Sequence, residues 1–198
     1  MTDSNSAAFG GEMLYAYKPS VFGAAWQFAL KTDGIEWSIG RQSGRVLFRN
    51  IRRVRMSFRP VTMQSHRFLT EVWSDNGPRL AIVSASWKSM VEQERLDPSY
   101  TAFVTELHRR IAAAGASVRF ETGTNVAVYW LGVLLFLAVA LGLAGLIARA
   151  IRVEAWAGAA FIGGFLALFL WQAGNYFRRN RPTTYRADAL PTNLLPRT

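Results

Sequence analysis

No cysteine occurs among the 198 residues. That excludes disulfides and thiolate-held metal clusters, and it fits a reducing compartment. Histidine is almost as scarce. His66, beside a turn, and His108, on the side of a helix expected to face solvent, have no carboxylate at the spacing of a metal or catalytic pair. A P-loop, a dinucleotide fingerprint, an HExxH helix and a nucleophile elbow are missing too; "GRQSG" sets a serine between glycines without the strand–turn–helix context. The chain therefore reads as non-enzymatic, with no catalytic residue, metal site or cofactor. Lysine is rare, three against twenty arginines, and no acid occurs from Trp37 to Thr70. The opening "MTDSNSAAFGGEMLYAYKP" lacks a basic start followed by an apolar run, so it is read as a flexible lead-in over residues 1–19 and not as a secretory signal.

What is abundant is apolar sequence and positive charge, kept apart. Val126–Ala148 and Ala155–Phe177 contain no charged residue. As helices of about 1.5 Å rise per residue, each would span about 34 Å, enough for a hydrocarbon core of about 30 Å. Only "RAIRVE" joins them, so residues 125–178 are expected to form a transmembrane hairpin with both outer ends on one side. Arginine bias orients it: Arg109, Arg110, Arg119, Arg178, Arg179, Arg181 and Arg186 flank the outer ends, and Arg149 and Arg152 lie in the connection. The positive-inside rule then puts both termini in the cytoplasm, and Trp130, Trp156, Trp171 and Tyr176 fall near span ends, where amphipathic rings favour headgroups. The pairs Ala138/Gly142, Ala159/Gly163 and Ala160/Gly164 offer close helix packing, most simply within the hairpin, with homo-oligomerisation a second option. Gln172 and Asn175, the polar residues of the second span, are assigned to its cytoplasmic end, touching headgroups or water, and not to a transport pathway.

Upstream, short alternating segments are split by turn residues. "WQFALK", the Asp-Gly turn in "TDG", "IEWSI", "RQSG", "RVLFRNI", "RRVRMSFR", "HRFLTEVW", "DNGP" and "RLAIVSASW" predict antiparallel strands closing toward a barrel or sandwich. "WKSMVEQER" is open between a short helix and a loop. In "LDPSYTAFVTELHRRIAAAG", Asp97 suits an N-cap, Pro98 the first helical position, and Gly115 the end. Tyr100, Phe103, Val104, Leu107 and Ile111 fall on one helical face. The fold class expected is an α+β membrane protein: a partly open antiparallel barrel capped by a helix, followed by an α-helical hairpin.

The hairpin "DGIEW", the run "G-R-V-x-F-x-x-I-x-x-V" from Gly44 to Val54 and the helix Pro98–Ala114 resemble the bacterial pleckstrin-homology-like domains of small inner-membrane proteins. The resemblance covers about residues 20–118. It implies a binding platform for lipid headgroups or protein segments and no catalysis. Relatives that grip phosphoinositides put basic residues around the loop joining the first two strands. Here that loop reads as "TDG", flanked only by Lys31, so the familiar headgroup pocket is not expected.

The segment "FRNIRRVRMSFRP" carries five arginines and no acid. Alternation sends Val54, Met56 and Phe58 to one side and Arg53, Arg55 and Arg59 to the other, with Ser57 between them. With Arg49 these are the candidate contacts for an anionic lipid or a partner. Three readings stay open: a solvated face paired to Glu36, Glu71 or Asp75; contact with the anionic inner leaflet, at about 1 kcal/mol per basic residue; and an acidic partner protein. Nucleic acid is not expected, because most aromatics turn inward. The tail, residues 179–198, is basic and proline-containing; it is read as disordered, or as an extended segment docking on the platform or another subunit. Together these features suggest a scaffold or accessory subunit of a membrane protein complex. The second reading is a small transport component whose hairpin homo-oligomerises.

Overall fold

Apolar alternation builds the first sheet of the computed structural model, which describes residues 8–9, 12–60, 66–89 and 92–196. Strands β1 (Ala8–Phe9), β2 (Glu12–Tyr17), β3 (Trp26–Leu30), β4 (Gly34–Ile39) and β5 (Gln42–Leu47) run antiparallel in chain order. Leu30, Ile35 and Val46 align across three strands and are buried. Strand β2 corrects the expectation of a flexible lead-in over residues 1–19. Its alternation drives Tyr15 and Tyr17 into the core, and their hydroxyls donate to the carbonyls of Val83 (2.6 Å) and Ala81 (2.5 Å). Those carbonyls belong to an edge strand that no sheet neighbour satisfies on that side. A strand placed first also shifts the loop count. The "TDG" turn joins β3 to β4, and the loop between β2 and β3 is residues 18–25.

A 3-10 turn, Phe48–Asn50, leads into β6 (Ile51–Pro60), which pairs with β7 (His66–Ser74), and β7 with β8 (Leu80–Val83), all antiparallel. A bulge near Ile51 resets the alternation before Arg53. The "WKSMVEQER" segment gives neither of its expected forms throughout: Gln93–Arg95 (β10) pairs with Ala85–Trp87 (β9), and residues 90 and 91 lie outside the described residues.

Helix α1 (Asp97–Ala113) buries Tyr100, Phe103, Val104, Leu107 and Ile111 completely against the sheets. Its N-cap is Leu96, not Asp97. Asp97 stands in the first turn, where a carboxylate suits the helix dipole, and binds Arg95 at 2.5 Å. Gly115, at φ +64, ends the helix in the left-handed region, and its N–H reaches the Ala112 carbonyl at 3.1 Å. After α1 the chain adds β11 (Arg119–Thr122) parallel to β6, and β12 (Thr183–Thr184) antiparallel to β11, giving the order β12-β11-β6-β7-β8.

The chain divides into two units: the part up to Thr122 together with Thr183 onward, and Gly123–Pro182. The second consists of α2 (Val126–Arg152) and α3 (Trp156–Arg179), antiparallel neighbours joined through Val153–Ala155. Arg149 and Arg152, expected in the connection, complete the last turn of α2. Gly123 has φ +77, and a Cβ there would meet the Asn180 carbonyl oxygen at 2.2 Å, so only glycine allows the two ends of this unit to approach. The Thr124 N–H donates to the same carbonyl at 3.2 Å.

Candidate functional site

The outward arginines of β6 form one face with residues the sequence did not bring together. Register places Trp73 and Arg119 opposite Arg53, Glu71 and Glu121 opposite Arg55, Leu69 opposite Ser57, and Arg67 opposite Arg59. The Arg53 guanidinium lies 4.0 Å from the centroid of the Trp73 ring, and that of Arg55 5.2 Å. Such stacking favours a cation by about 0.5–2 kcal/mol. Arg55 donates to Glu121 Oε2 at 3.0 Å, with both side chains largely sheltered, and Arg119 approaches the other oxygen of Glu121 at 3.8 Å. Glu71, buried, is held by Arg79 at 3.2 Å. Beside the face, Arg52, Arg53, Ser117, Val118 and Arg119 line a shallow depression of about 370 Å³.

Two of the three partners expected for an inert face do take up arginines: Asp75 binds Arg52 at 2.6 Å, and Glu71 binds Arg79. The third, Glu36, lies 3.6 Å from Lys31. Arg49 does not join Arg53, Arg55 and Arg59. It sits on the 3-10 turn, where it lines a separate open depression of about 600 Å³ with Asp33, Arg109 and Arg110. In that region Arg45 pairs with Asp33, and Glu106 takes both Arg109 and Arg110 at 2.6 Å. The hydrogen bond from Arg109, then that from Arg110, holds the Glu106 carboxyl down at about 2.

His108 corrects another expectation. It is fully buried, with Nδ1–H donating to the Val104 carbonyl at 2.7 Å and Nε2 accepting from the Tyr185 hydroxyl at 2.8 Å. Burial pulls its pKa down to about 4, so the ring is neutral near pH 7. Tyr185 belongs to the C-terminal segment, which is docked on the first unit and not extended into solvent. Its N–H donates to the Phe120 carbonyl at 3.2 Å, Thr122 Oγ1 and Thr183 Oγ1 lie 2.6 Å apart, and Leu194 is buried in the core with 1% exposure. The His66 side chain lies outside the described residues. No group of three metal-ligating side chains occurs among the described residues.

In the second unit, α2 and α3 are long and apolar enough to cross a membrane, and none of their apolar windows is buried. Their mutual contact is aromatic. Phe177 meets Tyr129 and Phe136 at 5.7 and 5.5 Å between ring centroids, Phe136 stacks on Phe169 at 5.1 Å, and Gly132 lets the Phe177 ring approach. Of the small residues expected at this contact, Ala159 is buried. A Cβ built on Gly142, Gly163 or Gly164 meets nothing within 4 Å, and Ala138 is exposed, so none of these four makes the close helix contact expected of it. Large rings, Phe136, Phe169 and Phe177, make the contact in place of small residues. Arg178 and Arg179 close α3 and Arg181 follows it, while Asn175 accepts from Arg178 at 3.4 Å.

Glu121, Trp73 and Tyr185 were invisible to sequence reasoning. Parallel pairing across 66 residues leaves no local pattern, and the alternation of "VRFET" was the sole available hint. Comparison with models of known families, with characterised proteins and with solved structures finds no match.

Proposed function

We propose that this chain is a membrane-anchored, non-catalytic binding platform: a pleckstrin-homology-like head held at the cytoplasmic face of a bacterial inner membrane by a two-helix hairpin. Antiparallel strands followed by a packed helix agree with the family resemblance, and the parallel strand β11 is an addition to it. The observation that carries the reading is the exposure of two long apolar helices, charged only in their last turns, whose flanking strands, β11 and β12, pair at Thr122 and Thr183. In water such surface is untenable, whereas in lipid it is the expected exterior. Pairing the flanks also supports a topology with both outer ends on one side, and arginine at those ends supports the cytoplasm.

On this reading the head is an accessory or scaffolding subunit, and the Arg–Trp face of β6 and β7 is its contact surface for anionic groups. Cross-linking in cells, followed by purification in mild detergent, tests it: unrelated membrane proteins should accompany the chain. Recovery of homo-oligomers alone, passing ions in vesicles, would favour a transport component instead.

A further inference from the structure

Arg59 of β6 and Arg67 of β7 oppose each other on the outer face of the second sheet. Side chains directly opposite in an antiparallel pair have Cβ atoms about 4.5–5.5 Å apart, and like charges there are destabilising. Neighbouring carboxylates are engaged elsewhere, Glu71 by Arg79 and Glu121 by Arg55. Among the described residues no carboxylate pairs with Arg59 or Arg67. A second anomaly sits on the same face, next along β6. Ser57 is buried at 5% exposure, and its Oγ has no hydrogen-bond partner. A buried polar atom without a partner calls for an absent water or ion.

One occupant removes both costs. A tetrahedral oxyanion between the strands neutralises the opposed guanidiniums, whose forked donors match phosphate, and accepts the Ser57 hydroxyl proton. Two guanidiniums and a hydroxyl offer more donors than the two coplanar oxygens of a carboxylate can take, and suit the oxygens of a phosphate better. We therefore propose that Ser57, Arg59 and Arg67 form a phosphate-binding site on the platform. Because the hydroxyl is closed from water, a neighbouring side chain must turn aside as the anion enters. The site lies on β6 and β7, and not in the "TDG" turn that joins β3 to β4. It deepens the platform reading and rests on it, without depending on the bilayer anchor.

The test uses the full chain in mild detergent, with melting followed by tryptophan fluorescence. Inorganic phosphate is titrated at ionic strength matched with chloride, and short-chain phosphatidylglycerol is titrated in parallel. At least one probe should raise the melting temperature saturably. A response to phosphatidylglycerol alone assigns a lipid headgroup, and a response to inorganic phosphate assigns a soluble phosphate compound. Ser57→Ala should weaken the apparent affinity about tenfold, and the double variant Arg59→Gln/Arg67→Gln should lose the response. With no phosphate present, either single glutamine variant should melt at or above the parent, because repulsion is relieved. No response to either probe, an unchanged response in the double variant, or single variants melting below the parent without phosphate would overturn the site. If the parent chain keeps its cross-linked partners in cells while neither probe shifts its melting, the platform stands and the phosphate site fails.

Discussion

The two units spend the same residue types in opposite ways. In the head, Leu30, Ile35, Val54, Leu80 and Ile82 are fully buried. In α2, Leu131, Leu134, Leu135, Leu137, Leu141 and Leu146 are all more than half exposed, and no residue of the helix is buried. At about 1–2 kcal/mol for each exposed leucine, those six alone rival the whole stability of a typical domain, about 5–15 kcal/mol. The contrast teaches that one solvent cannot serve both units. Water suits the head, whereas α2 and α3 are long and apolar enough to cross a membrane.

The strongest way to break that contrast is a charge at mid-helix. Leu137→Arg should cost about 3 kcal/mol or more of insertion, so carbonate extraction should release a large fraction of a protein that otherwise stays with the membrane. Next comes a matched pair of truncations. Leu80→Ala, in the head, should cost about 2–5 kcal/mol in urea unfolding of the full chain in detergent. Leu134→Ala, on the outside of α2, should leave that transition within about 0.5 kcal/mol. Equal losses would erase the distinction between the units.

The local pattern made much of this legible. The strands around "TDG", helix α1 and the two apolar runs follow from spacing that the folded chain respects. What escaped depends on distance. "EMLYAY" alternates as well as any strand, but its tyrosines find their acceptors 64 and 68 residues away. The tail looked disordered because its anchors, Thr122, His108 and Phe120, lie on the far side of the apolar excursion. His108 itself falls one turn from Val104 and three residues before Ile111. It thus borders the apolar stripe, and the Val104 carbonyl and the Tyr185 hydroxyl together make its burial tolerable. Within the basic face, the alternation of Arg53, Arg55 and Arg59 was readable, whereas Glu121, which engages Arg55, arrives by parallel pairing.

That late-arriving tail gives two smaller tests. Leu194→Ala should destabilise the head by about 2–3 kcal/mol, measured by urea unfolding, although the residue lies near the chain end; no change would detach the tail from the core. Acid should act through His108. Its folded pKa of about 4 lies below its ordinary value of 6.5, so the neutral ring's contribution is present above pH 6.5 and is lost as pH falls toward 4. The loss amounts to about 3 kcal/mol at most. His108→Gln should flatten that part of the stability–pH curve, and a curve of unchanged slope would dissociate His108 from it.

Because the chain has no cysteine of its own, single introduced thiols report sidedness cleanly. Ser117→Cys, Glu154→Cys and Asp188→Cys are labelled in intact cells, opened to the periplasm, with a membrane-impermeant maleimide. The account predicts that only position 154 reacts before the inner membrane is permeabilised, and that 117 and 188 react afterwards. Reaction at 117 or 188 in intact cells, or protection of 154 together with release of the chain by carbonate, would contradict it.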